Sequence, residues 1–412
     1  MPETLTGKIF REHLAASGDP AFLHFDHLLL HDATGSLLID RYQQLRRSVI
    51  RQDRILAAAD HFVPPATAER AEILQKYLEF LEELPGIKNR CYQGICHQVL
   101  VEEPSTGPGQ LIIGADSHTV TAGAMGSLAT GFGSTDILFA MLSGCIWAPK
   151  PLVGRLDLTG RIGPWIRGKD AALELLRRMD LSLGSTADLA WECFDRTDSG
   201  LSMDSRLALC SMAAEMNAAY FTLVPDATTL DFLRAKGNTS RPIWPDDGAE
   251  YQLRLQVAMP RKSLVSEPPV PWAVTEADSL GRLPVDQVFI GSCTGGRLED
   301  LADAAAMLQG RQVAKRVRLV VIPASRQVYR QAMAKGYIQA LVEAGGMIGT
   351  PSCGPCGGID KGVIGAKQRM VATSNRNYPG RTGRGECFLA SAPTAAASAV
   401  AGRICDPLEV VS

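Results

Sequence analysis

Histidine is missing beyond residue 118 of this 412-residue chain, where the last of its seven histidines stands. A closed zinc site in the later chain would lack an imidazole and need a fourth thiolate. An excess of either charge is missing too: the formal net charge is -2 and the pI about 6.4. That leaves no basic patch for nucleic acid, so an anionic substrate has to be met by a few placed arginines. No apolar run approaches the length needed to span a bilayer, and Met1–Leu14 has no apolar signal core. Neither nucleic acid nor membrane is expected as a partner. Ten cysteines with neither signal peptide nor regular spacing argue for reduced thiols and a cytoplasmic location. Cys91, Cys145, Cys193, Cys210, Cys387 and Cys405 are expected to fill core space. Internal repeats and low-complexity tracts are absent.

Apolar runs alternate with stretches of helical period. Residues 110–113, 287–290, 318–322 and 370–373 read as strands, and 298–309 as a helix. Continuous apolar strands between helices indicate parallel sheets covered on both faces, an α/β protein. Asp170 is suited to cap a helix over 171–179, and the Pro-rich stretch from Ser266 to Trp272 reads as a linker. The chain is long enough for two or three domains. Boundaries are expected near 150 and 280: residues 1–150 with a His/Asp set, 151–280 with Glu215, and 281–412 with a cysteine set.

That cysteine set is Cys293, in the Gly-rich turn 291–297, and Cys353-Gly-Pro-Cys356. A cubane iron–sulfur cluster usually takes four thiolates. Three would leave one iron open as a Lewis acid. The nearby glycines bring backbone N–H groups close and leave space for a bulky inorganic ligand. Disulfide exchange at the C-x-x-C pair and buried structural thiols are the alternatives. The first gives Cys293 no role, and no Trp precedes the pair.

His31-Asp32, Asp60-His61, His97, Asp116-Ser117-His118 and Glu215 form an acid–base set, because a carboxylate beside His raises its basicity and fixes its tautomer. Arg376 and Arg381 share a turn with Gly and Pro, and guanidinium groups grip carboxylates in bidentate fashion. The turns at 114–118, 291–297 and 374–381 each follow a strand, where ligands of parallel sheets bind. Gly163–Asp170 comes one residue short of a phosphate-binding P-loop, with Asp170 where Ser or Thr should hold magnesium. It is read as a turn with a helix cap.

Gly-Ala-Asp-Ser-His-Thr (114–119), Gly-Ser-Cys-Thr (291–294), Cys-Gly-Pro-Cys (353–356) and Ser-Asn-Arg-Asn-Tyr-Pro-Gly-Arg (374–381) together resemble the aconitase superfamily. The likeness runs nearly end to end, in family order. With His31-Asp32 present and a last residue near 412, the chain is similar to the large subunits of the isopropylmalate dehydratase and homoaconitase branch. The resemblance implies three α/β/α domains, mainly parallel, around a cluster cleft, without the swivelling domain of single-chain aconitases. It implies a [4Fe-4S] cluster on Cys293, Cys353 and Cys356 with one non-cysteine-ligated iron. It makes Asp60, His61, His97, Asp116, His118 and Glu215 catalytic, and His31, Asp32, Ser117, Arg376 and Arg381 substrate-binding. The partner it implies is a small swivelling-domain subunit supplying the catalytic serine and a specificity loop. The reaction is elimination and re-addition of water on a hydroxy-diacid such as isopropylmalate. Homocitrate, dimethylmalate and other alkylmalates are the alternatives, with a cluster-sensing RNA binder a further one. Gly295, Gly296, Ser211 and Ser352 depart from the family pattern, which points to a non-standard 2-substituted malate.

Overall fold

The computed structural model describes residues 1–15, 21–179, 189–358 and 361–411. The expected apolar runs are strands within a residue of their expected ends: Leu111–Gly114, Gln287–Ile290, Arg318–Val321 and Arg369–Ala372. They belong to two of the three main sheets. The first sheet is wholly parallel, in the order Lys88–Asn89, Ile55–Ala58, His27–His31, Leu111–Gly114, Leu128–Gly131. The second is also parallel, ordered Tyr220–Leu223, Ala190–Thr197, Val153–Gly160, Leu253–Ala258. The third has seven strands, of which Glu386–Ala390, Arg369–Ala372, Gln287–Ile290, Arg318–Val321 and Met347–Ile348 run parallel. An antiparallel pair, Leu264–Ser266 and Val274–Glu276, completes its edge.

Strand order reverses once in the first sheet, between His27–His31 and Leu111–Gly114, and once in the third, between Gln287–Ile290 and Arg369–Ala372. Loops part at such points and open a crevice beyond the carboxyl ends of the strands. The two crevices are tied edge to edge. Ile95 N–H donates to the Ala324 carbonyl (2.9 Å), Arg326 N–H to Gln93 (2.7 Å), and Cys353 N–H to Asp60 (3.1 Å). The second sheet reaches the same region through the segment Ser117–Met125, buried from His118 on. There Gly123 is obligatory, since a Cβ would lie 1.9 Å from the Phe221 carbonyl oxygen.

Three sequence expectations need correction. The stretch from Ser266 to Trp272 turns a hairpin, closed by Glu267 N–H donating to Ala273 (2.7 Å), and is no linker. The third sheet accordingly begins at Leu264, ahead of the boundary expected near 280. The helix at 171–179 starts earlier, running Gly168–Arg178. Asp170 lies inside its first turn and accepts N–H bonds from Arg167 (2.9 Å) and Leu264 (3.2 Å). Among the described residues no helix is long and apolar enough to cross a membrane.

Candidate active site

The first sheet delivers its polar groups at the crevice. His31 ends one strand, Asp60 and Asp116 lie two residues beyond two others, and His97 sits on the helix Cys96–Glu102. Asp60 Oδ1 bonds His61 Nδ1 at 2.8 Å, while Oδ2 accepts the Cys96 N–H at 2.8 Å. Burial alone would lower the His61 pKa, but the Asp60 carboxylate outweighs it and the imidazole is pushed up to about 10. His31 stacks on His61, centroids 4.4 Å apart. Burial and the His61 charge pull His31 down to about 4, so it is neutral. Thr34 Oγ1 holds its Nε2 at 2.7 Å, and its buried Nδ1 has no hydrogen-bond partner among the described residues, with Asp32 Oδ1 3.9 Å away.

Asp32, expected to bind substrate, is directed at backbone in this structure. It is fully buried, and its oxygens accept the backbone N–H groups of Asp60 (3.3 Å), His61 (3.1 Å) and Phe62 (2.7 Å). Its work is to fix the turn that carries the Asp60–His61 pair.

A second chain of contacts crosses all three sheets' territory. His97 Nε2 meets Asp116 Oδ1 at 2.9 Å, and His118 Nδ1 meets the same oxygen at 3.2 Å. His118 Nε2 meets Glu215 Oε1 at 3.2 Å, and that oxygen accepts from Arg376 Nε at 2.6 Å. Arg376 also donates to Ser117 Oγ at 3.0 Å. Burial opposes the charge on His118, but the Cys293 sulfur, Asp116 and Glu215 push its pKa up to about 10. Arg381 is half-buried on the same turn, and its Nε has no hydrogen-bond partner among the described residues.

The cysteine loops come from the third sheet's crevice. Cys293 and Cys353 pack together against Ile95 and Ala324, and Cys356 is buried one turn on in Gly354–Gly357. Burial would raise the Cys293 pKa, yet the charges of His118 and His97 bring it down to about 7. Cys353 Sγ lies 3.6 Å from Asp60 Oδ2, so one carboxylate faces both the thiol and the His61 imidazole. Burial, then Asp60, holds the Cys353 thiol well above its ordinary range. The donor set suits a thiophilic iron cluster: three thiols on Gly-rich turns with positive-φ glycines at 296, 354 and 358.

Motif reading passed over Asn375 and Lys169 as site residues. Asn375 accepts from Cys293 Sγ (3.3 Å) and Ser292 Oγ (3.0 Å) and donates to Ser211 Oγ (3.1 Å). Its place inside the quoted turn at 374–381 was the available signal. Lys169 lies buried at a helix start rather than in an open phosphate loop. The departures from the family pattern lose their force as signs of an altered pocket. A Cβ at 295 would lie 2.4 Å from Thr373 Oγ1, so Thr373 already fills the space an Asn would need. Ser211 still donates to Cys293 Sγ at 3.4 Å, and Ser352 bonds Thr350 and Lys361 at the edge of the loop.

Residues 7–262 and 245–402 match the family described as "Aconitase family (aconitate hydratase)". The chain is 39% identical to "3-isopropylmalate dehydratase large subunit 1" of Methanopyrus kandleri, covering 95% of each. It is 36% identical to the "3-isopropylmalate dehydratase large subunit" of Nitratiruptor sp. over the full length of both. A protein named "3-isopropylmalate dehydratase large subunit 2" from Archaeoglobus fulgidus is 38% identical over 99% of this chain and 100% of its own. Among solved structures, Thermococcus kodakaraensis aconitase X (holo-form) superposes with a TM-score of 0.53 at 14% identity, over 90% of this chain and 89% of that one. That likeness concerns the fold.

Proposed function

The chain belongs to the aconitase family, and from that premise we propose that it is the large subunit of an iron–sulfur hydro-lyase acting on 3-isopropylmalate. The relatives' names supply the substrate and imply a small subunit as partner. The observation that carries the reading is the shared carboxylate of Asp60, 2.8 Å from His61 Nδ1 and 3.6 Å from the Cys353 sulfur. An acid–base pair and a metal-ligating thiol meet there within one residue's reach.

Cys293, Cys353 and Cys356 would hold the cluster, which when bound supplies an open iron as a Lewis acid for the departing hydroxyl. The chain's own groups do the rest. His61, held protonated by Asp60, donates a proton from Nε2 to the leaving hydroxyl oxygen. Neutral His31, stacked beneath, keeps that ring in plane. Asp116 fixes the rings of His97 and His118, which orient the released water. Arg381, with an unpaired donor, takes a substrate carboxylate. Arg376, already set by Glu215 and Ser117, presents its remaining N–H to the same anion. The base that removes the carbon-bound proton comes from the small subunit. Asp32 positions and does not bind.

The test is to reconstitute the chain anaerobically with iron and sulfide, add the small subunit, and follow the unsaturated product by ultraviolet absorbance. Turnover of 3-isopropylmalate above every other alkylmalate and homocitrate is expected. Faster turnover of another hydroxy-diacid would overturn the substrate. No turnover of any, with no cluster bound, would overturn the reading.

A further inference from the structure

Lys169 is a buried cation that the reaction leaves unused. It is 2% exposed, and its ammonium donates to the Ser374 carbonyl at 2.6 Å and lies 3.1 Å from Met212 Sδ. Among the described residues it forms no ion pair with a carboxylate. The acid nearest in influence, Glu215, is occupied by His118 and Arg376. Burying an ammonium without an anion is strongly unfavourable, so the site calls for an anion beside it. The groups around it say where that partner belongs. Ser374 opens the turn of Asn375, which bonds Cys293, and Met212 follows Ser211, which bonds the same sulfur. Burial pulls the Lys169 pKa down to about 8, with the sulfurs of Cys293 and Cys356 opposing the fall, so it is charged at neutral pH.

We infer that Lys169 is the counter-cation of the three-thiolate cluster and raises its reduction potential. This rests on the cluster reading above. The cluster with its thiolates is an anion, and one-electron reduction makes it more negative. A fixed positive charge in a water-excluded site favours the reduced form. Lys169 is thus a positioning and tuning residue that touches no substrate.

The experiment is an electron-paramagnetic-resonance redox titration, with dithionite as reductant, of the reconstituted full chain as wild type, K169Q and K169R. Gln can still donate to the Ser374 carbonyl but carries no charge. At a fixed potential the reduced-to-oxidised ratio should fall about tenfold in K169Q, equivalent to 59 mV for one electron, and stay within about twofold in K169R. A folded K169Q that holds no cluster, beside a K169R that does, supports the inference equally. A wild-type ratio in K169Q overturns it, as does an equal shift in both variants. So does a K169Q that melts well below wild type before any cluster is added, which would make Lys169 a fold residue. A wild type without cluster signal removes the cluster reading and the inference with it, an outcome separate from a loaded wild type matched by K169Q.

Discussion

The first-sheet and third-sheet faces of the site are finished to different degrees. On the first, every carboxylate has its partner. Asp32 is spent on three backbone N–H groups, Asp60 on His61 and Cys96, and Asp116 on His97 and His118. On the third, among the described residues, the Cys353 thiol's hydrogen-bond partner is a carboxylate that already serves His61 and Arg381 Nε has none, while Lys169, reaching Ser374 from the helix Gly168–Arg178, has no anion. The histidine face is set by the chain itself. The cysteine and arginine face keeps donors without an anion among the described residues, as the proposed cluster and dicarboxylate would require.

The comparison breaks most easily at Cys293. Cys293→Ser is expected to abolish the paramagnetic signal of the dithionite-reduced cluster and to cut turnover by at least about 10^3-fold, since an open iron contributes several kcal/mol. A variant that keeps both would mean that Cys293 does not ligate the cluster. His61→Asn tests the other face, with a loss of roughly 10^3-fold in kcat and an intact cluster signal. Loss of the cluster as well would show that the two faces are not independent. The same pair fixes a pH dependence. His61 is raised from 6.5 to about 10, so its contribution to stability is full below pH 6.5 and disappears as pH rises through 10. Asp60 is held below its ordinary range and gives stability that is lost only in acid. The melting temperature of the cluster-free chain should fall from pH 6.5 to 10, and His61→Asn should flatten that fall.

How much of this was legible in the sequence divides along the same line. Cys353-Gly-Pro-Cys356 and Asp60-His61 are local motifs, and strand-then-turn patterning was enough to put the turns at 114–118, 291–297 and 374–381 at strand ends. Long-range pairing was not legible. His118 meets Glu215 across 97 residues and Cys353 meets Asp60 across 293, and no spacing rule carries such contacts. The burial of Lys169 was hidden for a related reason: Gly168-Lys169-Asp170 reads locally as an exposed helix start, and it is covered by residues distant in sequence, Met212 and Ser374. The hairpin after Ser266 was missed because its prolines signal a break, while the strand pairing that surrounds them is set by Val265 opposite Thr275 and Ala390.

A smaller effect sharpens the role of Asp32. Asp32→Ala would leave three N–H groups without their acceptor, and at about 1 kcal/mol each the chain should lose about 3 kcal/mol of stability. Denaturant unfolding of the cluster-free chain measures it. An unchanged midpoint would return Asp32 to the binding role that the sequence suggested.

Trp272 gives the smallest and most discriminating case. It is 40% exposed at the hairpin tip, and its ring meets Tyr378 edge-on, centroids 6.2 Å apart. Tyr378 lies between Arg376 and Arg381 in sequence, so the hairpin braces the turn that presents both guanidinium groups. An edge-to-face pair contributes about 0.5–1.5 kcal/mol. Trp272→Ala should therefore raise KM by roughly three- to tenfold, with kcat and melting temperature close to wild type, because the loosened turn weakens carboxylate binding alone. Trp272→Phe keeps an aromatic edge and should recover most of the loss. If Trp272→Ala lowered kcat and left KM unchanged, the arginine turn would be as self-supporting as the histidine face, and the contrast between the two faces would be confined to the thiols.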